Sequence, residues 1–149
     1  MSKFTISQAT DNTIQNVAPL FDEYRQFYGQ PADLERARSF LKDRLARGES
    51  VIFLATQGDR AVGFAQLYPS FSSLSMSRIW ILSDLFVSTS SRKQGVATAL
   101  LEECKRLAIH TGAKELTLET MKSNLTAQRL YERCGWKRDD IFYTYHLVV

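Results

Sequence analysis

The chain has 149 residues, 44% of them hydrophobic and 23% charged, proportions that suit a single domain with a sizeable core. Its 19 basic and 16 acidic residues leave a net charge of +3, spread along the chain and too weak to argue for a nucleic-acid partner. No apolar run is long enough for a membrane span, the start Met-Ser-Lys-Phe-Thr-Ile lacks a signal-peptide core, and Cys104 and Cys134 have no metal-ligand spacing. A cytoplasmic protein with reduced thiols, no metal and no membrane partner is expected.

Phe4 to Thr10 alternates as a first strand, and Asp11 or Asn12 is placed to cap the helix after it. Ile14, Val17, Ala18, Phe21, Tyr24 and Tyr28 then mark one helical face. Gly29 and Pro31 break the chain, and Asp33 starts a second helix with Leu34, Ala37, Leu41 and Leu45 inward and Gly48 as its stop. Val51 to Thr56 and Ala61 to Tyr68 form a hairpin about Gln57-Gly-Asp-Arg60, with Pro69 expected to end the return strand. Ser70 to Ser77 reads as a serine-rich loop.

Ile79 to Val87 reads as a buried strand, short, apolar and bounded by polar turns. A helix follows from Ala97, with Ala97, Leu100, Leu101, Cys104, Leu107 and Ala108 on one face and Gly112 beyond its end. Glu115 to Met121 is a further strand. Asn124 is placed to cap a last helix whose inward face is Ala127, Leu130, Tyr131 and Cys134, and Gly135 stops it. Ile141 to Val149 reads as a closing strand. Hairpins first, then strands alternating with helices, predict a mixed α/β sheet with helices on both faces. His110 and His146 stand alone, and neither is given a role.

The strand-to-helix junction Arg92-Lys-Gln-Gly-Val-Ala-Thr98 carries the first functional signal. The opening N–H groups of a helix have no intrahelical partner and carry the positive end of its dipole. Gly95 lets an anion approach the backbone, Ala97 keeps the next approach tight, Arg92 and Lys93 add charge, and Thr98 adds a hydroxyl. The stretch suits a diphosphate. It is neither a P-loop nor a dinucleotide fingerprint. Its alternative reading is an ordinary turn into a solvated helix start.

Arg92-x-x-Gly95-x-Ala97 resembles the R/Q-x-x-G-x-G/A signature with which the GNAT superfamily of N-acetyltransferases grips the pyrophosphate of acetyl-coenzyme A. Asn124-x-x-Ala127-x-x-x-Tyr131-x-x-x-Gly135-Trp136 is similar to a second motif of that superfamily, with Trp in place of Phe. Two motifs in the right order, about a strand apart, extend the resemblance over nearly the whole chain. It implies one domain over residues 1–149, a mixed and mostly antiparallel sheet of about six to seven strands, and about four flanking helices. Tyr24-Arg-Gln-Phe-Tyr28, the serine-rich loop, the strand ending at Val87 and the closing Phe-Tyr-Thr-Tyr-His-Leu147 look like the small dimeric histone and polyamine acetyltransferases, which implies a homodimer. Those relatives commonly have Asn or Glu where this chain has Ser83, so no base is carried over to that position.

The resemblance implies transfer from acetyl-CoA to a primary amine by direct attack, the acceptor being a polyamine, a lysine-like small molecule or a protein amine. An alkylammonium has a pKa of about 10.4 and must lose a proton before it attacks. Asp84, charged in an apolar strand, is the candidate base or the anchor of a relaying water; the alternative is a buried structural carboxylate. In family terms a backbone N–H near Leu85, Phe86 and Val87 faces the thioester oxygen, and Arg92, Lys93, Gln94, Gly95, Val96, Ala97 and Thr98 hold the pyrophosphate. Asn124 would bond the pantetheine arm, or serve only as a helix cap. Tyr131 would protonate the leaving thiolate; a phenol of pKa about 10 suits that task, and the alternative is a core aromatic. Asp22, Glu23, Tyr24 and Tyr28 are candidates for an acceptor pocket, carboxylates for charge and aromatics for cation–π contact, or else lie on apolar and solvated helix faces. A non-catalytic module that binds acyl-CoA is the competing function.

Overall fold

The computed structural model describes residues 3–149, which fall into two compact units, the first ending at Glu119 and the second running Thr120–Val149. The first contains β1 (Thr5–Gln8), α1 (Ile14–Phe27), α2 (Leu34–Ala46), β2 (Val51–Gln57), β3 (Arg60–Ser72), β4 (Ser77–Val87), α3 (Val96–His110) and β5 (Glu115–Thr117). Its five strands form one sheet in the order β1-β2-β3-β4-β5, antiparallel except for the β4–β5 pair. The second unit contains α4 (Leu125–Arg133). Mixed α/β architecture and four helices match the expectation; five strands are fewer than the six to seven expected.

The sheet is covered on both faces. Ile52, Leu54, Phe64 and Phe86 pack with Ile14, Val17, Ala18 and Phe21 of α1 and with Ala37 and Leu41 of α2. Buried Val96, Leu100, Leu101, Cys104 and Ala108 give α3 its apolar stripe for the other face. Gly63 makes that seat close. A Cβ there would lie 3.0 Å from the Phe86 carbonyl oxygen, 3.1 Å from Val96 Cγ1 and 3.4 Å from Leu100 Cδ1. The first turn of α3 is thus set directly over β3 by the absence of one side chain.

β4 carries an irregularity that decides where its side chains go. Gln66 pairs with Asp84, but Leu67 pairs with Leu82, so Ser83 is the extra residue of a β-bulge. Neighbouring residues on a strand face opposite ways, so Leu82 shares a face with Leu67 and Asp84 shares one with Gln66. The bulge turns the strand over. Trp80 and Leu82 belong to the α3 face, where Trp80 Nε1 donates to Thr111 Oγ1 at 2.8 Å. Asp84 and Phe86 belong to the α1/α2 face.

Several boundaries differ from expectation for physical reasons. Pro69 does not end its strand: β3 continues to Ser72 and β4 starts at Ser77, so only the middle of the serine-rich stretch is a turn. β2 pairs with β3 only as far as Leu67, leaving β3 beyond that point with β4 alone, and a proline tolerates such an open edge. Thr13, not Asp11 or Asn12, precedes α1. β5 stops at Thr117 rather than Met121. Residues 141–149 form no strand; Ile141, Phe142, Tyr143, Tyr145, Leu147 and Val148 are all at least 78% exposed. Apolar alternation reports fitness for a sheet but does not supply a neighbouring strand.

Candidate active site

The junction after β4 enters α3 with its first backbone N–H groups uncapped by any side chain. Val87 leads through Ser88 into a 3₁₀ turn, Thr89–Ser91, and the chain enters α3 through Gly95. The turn is tied at both sides. Ser88 N–H donates to the Val62 carbonyl at 2.9 Å, and Arg60 Nη2 donates to Ser91 Oγ at 3.0 Å. Lys93 and Gly95 both adopt left-handed backbone, with φ of +64° and +84°. A Cβ on Gly95 would meet no atom of the chain within 4 Å, so the positive φ is what calls for glycine here, and the space beside it is open. Gly95 as N-cap offers no side-chain hydrogen bond, and the first turn of α3 has no acidic residue. The opening N–H groups of α3 are therefore left for an external acceptor.

The basic residues behave differently from one another. Arg92 Nε donates to the Val87 carbonyl at 3.0 Å, and its guanidinium lies over the rings of Phe27 and Phe86, 5.7 Å from each centroid. It clamps the turn against the end of α1. Gln94 Oε1 accepts from Gln57 Nε2 at 2.9 Å, bracing the loop on β2. Lys93, Gln94 and Thr98 are exposed, Val96 is buried, and Ala97 is half-buried.

β4 also presents an open edge. β5 pairs only with Ile79 to Ile81, so from Leu82 to Val87 the β5 side of β4 has no ladder partner among the described residues. Along such a stretch every second residue directs its N–H and C=O outward, which includes the region Leu85 to Val87.

Asp84 sits on the α1/α2 face with 8% of its surface exposed. Gln66 Nε2 donates to its Oδ2 at 2.8 Å. Burial raises its pKa above the usual carboxylate range, while hydrogen bonds from Gln66 and Tyr24 pull it back. Tyr24 OH also reaches the Ser83 carbonyl at 3.5 Å, the carbonyl exposed by the bulge. Tyr68, on the same face as Gln66, has its phenol pushed up to about 12, first by burial and then by the nearby Asp84 charge. Asp84, Tyr24, Gln66 and Tyr68 thus form one polar group beneath α1 and α2. Sequence reasoning missed Gln66 and Tyr68: each sits in an apolar strand and becomes notable only through the bulge opposite it.

The candidate acceptor residues separate. The Tyr24 ring packs on Phe64, Phe86 and Tyr28, with centroids at 5.8, 5.9 and 5.1 Å. Tyr28 is 47% exposed at the end of α1. Glu23 is exposed, on the far side of the helix from the core. Asp22 is buried and closes the α1–α2 connection: it accepts from Arg25 Nη1 at 2.8 Å and from the Asp33 N–H at 3.0 Å.

In the second unit the motif around Tyr131 is a helix with both ends capped. Asn124 Oδ1 accepts from the Ala127 N–H at 3.2 Å, the N-cap bond. At the other end Gly135 has φ of +92°, the Trp136 N–H bonds the Tyr131 carbonyl at 3.0 Å, and the two rings stand 6.1 Å apart. That is a Schellman turn with its accompanying hydrophobic contact. The aromatic after the glycine packs on Tyr131 and holds the phenol's carrier residue at the last turn. Ala127, Leu130, Tyr131 and Cys134 are half-buried, so the expected face is present but less covered than expected. Among the described residues no group of three or more His, Cys, Asp or Glu is placed to hold a metal, and no helix is long and apolar enough to cross a membrane.

A glycine-entered strand-to-helix junction beside an open strand edge, on a mixed sheet covered by α1 and α2 on one face and α3 on the other, is the arrangement of an acyl-coenzyme A transferase fold. Residues 17–136 match the family model described as the acetyltransferase (GNAT) family, and the chain belongs to that family of acetyl-CoA-dependent N-acetyltransferases. It is 47% identical over 144 residues to the uncharacterized N-acetyltransferase YhfO of Bacillus subtilis (strain 168), covering 97% of each chain. A crystal structure of a probable acetyltransferase superimposes with a TM-score of 0.92 at 45% identity, again over 97% of each chain. AAC(6')-Iy, solved with the bisubstrate analogue CoA-S-monomethyl-acetylneamine, shares the fold, with a TM-score of 0.82 at 21% identity over 99% of this chain and 100% of that one.

Proposed function

We propose that this protein transfers an acetyl group from acetyl-CoA to a primary amine by direct attack in a ternary complex, working in the cytoplasm as a homodimer, with residues 1–149 as one transferase domain. The observation that carries the reading is the uncapped, acid-free start of α3 at Gly95, where N–H groups and Lys93 suit a pyrophosphate. Gly95, Val96, Ala97 and Thr98 would hold it through backbone N–H groups and the Thr98 hydroxyl, with Arg92 and Gln94 fixing the loop's shape. Asn124 would meet the pantetheine arm. Acetyl-CoA supplies the activated thioester.

Asp84 accepts a proton from the acceptor ammonium, directly or through one water, and frees the nitrogen lone pair. A nitrogen–carbon bond forms as the carbon–sulfur bond breaks. Backbone N–H groups in the Leu85, Phe86 and Val87 stretch stabilise the carbonyl oxygen. Tyr131 gives its phenolic proton to the departing sulfur and is restored by the proton the new amide nitrogen loses. The products are an amide, a thiol and one released proton. Tyr24 and Tyr28 offer aromatic surface to a cationic amine, and Asp22 holds the α1–α2 turn that carries them. The amine held by the analogue in AAC(6')-Iy belongs to that protein, but its class agrees with an amine acceptor.

The test is coenzyme affinity in Gly95→Glu. The new carboxylate would stand at the α3 N-terminus, and calorimetry should show acetyl-CoA bound about tenfold or more weakly. Gly95→Ala carries the same backbone strain without the charge and should lose less. Unchanged affinity in Gly95→Glu overturns the placement.

A further inference from the structure

We infer that Gln66 is a positioning residue for the transfer, holding the Asp84 carboxylate ionised and aimed for proton acceptance. The inference rests on the reading of Asp84 as the base. The two residues face each other directly across the β3–β4 ladder, at the point where the bulge begins. Their contact is therefore set by sheet geometry and not by a flexible surface side chain. Gln66 is fully buried, and its Nε2 donates to Asp84 Oδ2 at 2.8 Å.

The other end of the same amide marks the role as specific. Gln66 Oε1 is buried and accepts no hydrogen bond. A buried acceptor without a donor is destabilising, so packing alone favours an apolar residue of the same length at this position. What the amide provides that a methionine does not is the N–H donor to Asp84. A donor to the charged form favours ionisation, against the burial that opposes it. Among the described residues no cation forms an ion pair with the carboxylate. α1 brings the Tyr24 hydroxyl, and β3 brings Tyr68. Arg44 of α2 acts on Tyr68, lowering its pKa, and is paired with Glu49 at 3.0 Å. Gln66 and Tyr24 are thus the groups whose hydrogen bonds oppose the upward shift that burial gives Asp84.

The experiment is the pH dependence of kcat/KM for wild type, Gln66→Met, Gln66→Glu and Asp84→Asn, with Asp84 titrated in parallel by carbon NMR of its carboxyl group. A base must be ionised, so activity falls as pH drops through its pKa. Removing a donor to the carboxylate raises that pKa, and the acid limb should move to higher pH by about one unit in Gln66→Met. Gln66→Glu, which places a second carboxyl group against Asp84, should move the limb the same way and covers the case in which Gln66→Met fails to fold. KM for acetyl-CoA should hold in both. A uniform loss of kcat with the limb and the NMR titration unmoved makes Gln66 a packing residue and overturns the inference while Asp84 stands. An acid limb that persists in Asp84→Asn overturns the assignment of Asp84, and the inference with it.

Discussion

Tyr131 is the residue to which the proposed leaving-group step is assigned, and its surroundings make that role separable from packing. It stands in the last turn of α4 with its ring beside Trp136 and its carbonyl bonded by the Trp136 N–H. Tyr131→Phe keeps the ring, the turn and the contact and removes only the acid. Melting temperature and acetyl-CoA affinity should change little, while kcat falls by about 10²-fold or more, the usual size of a general-acid contribution. Stopped-flow or steady-state thiol release measures it, and wild-type kcat in the variant removes Tyr131 from the chemistry. Cys104 shows the contrast between a chemical residue and a core one. Burial pushes its thiol up to about 12, leaving a small apolar group on the inner face of α3 with no thiolate to offer at neutral pH.

The elements differ in how much of them the sequence displays. α3 and α4 were legible because their ends are chemically marked: Gly95 and Gly112 around one, Asn124 and Gly135 around the other. The glycines adopt the positive φ that their position demands, and Asn124 makes the cap bond. The β4 bulge was not legible. Trp80, Leu82, Asp84 and Phe86 alternate as one face, and only pairing with β3 shows that Ser83 divides them between two. Gln66 and Gly63 were missed for the same reason, since each gains its meaning from a residue distant in sequence. The segment 141–149 is the opposite case, a strand pattern that forms no strand. Its exposed Phe142, Tyr143, Tyr145 and Leu147 make an apolar surface that needs a cover, and a second copy of the chain is the proposed one. Light scattering at micromolar concentration should give twice the 17.0 kDa of one chain. A mass of one chain overturns the dimer and leaves the catalytic account untouched.

At the scale of the molecule, the proposed coenzyme cradle and base are carried by the first unit, and the residue proposed as leaving-group acid lies in the sequence of the second. Composition excluded more than it assigned. A charge of +3 named no partner, whereas a phosphate site needs a backbone arrangement that leaves a fixed spacing of glycine and small residues, so the proposed donor side has a mark in the sequence. The acceptor side leaves no such spacing: Tyr24 and Tyr28 serve the core and the surface of one helix at once, and Asp22 is engaged within the α1–α2 turn. The central claim is that the acetyl group passes straight from the coenzyme to an amine. It is tested most directly by incubating the protein with acetyl-labelled acetyl-CoA and a panel of polyamines, aminoglycosides and lysine-containing peptides, then following the label by mass spectrometry alongside thiol release. The account predicts label on an added amine in equal amount to the thiol released, with none covalently held by the protein during turnover. Thiol release that no amine stimulates, or label that accumulates on the protein before reaching the amine, contradicts it.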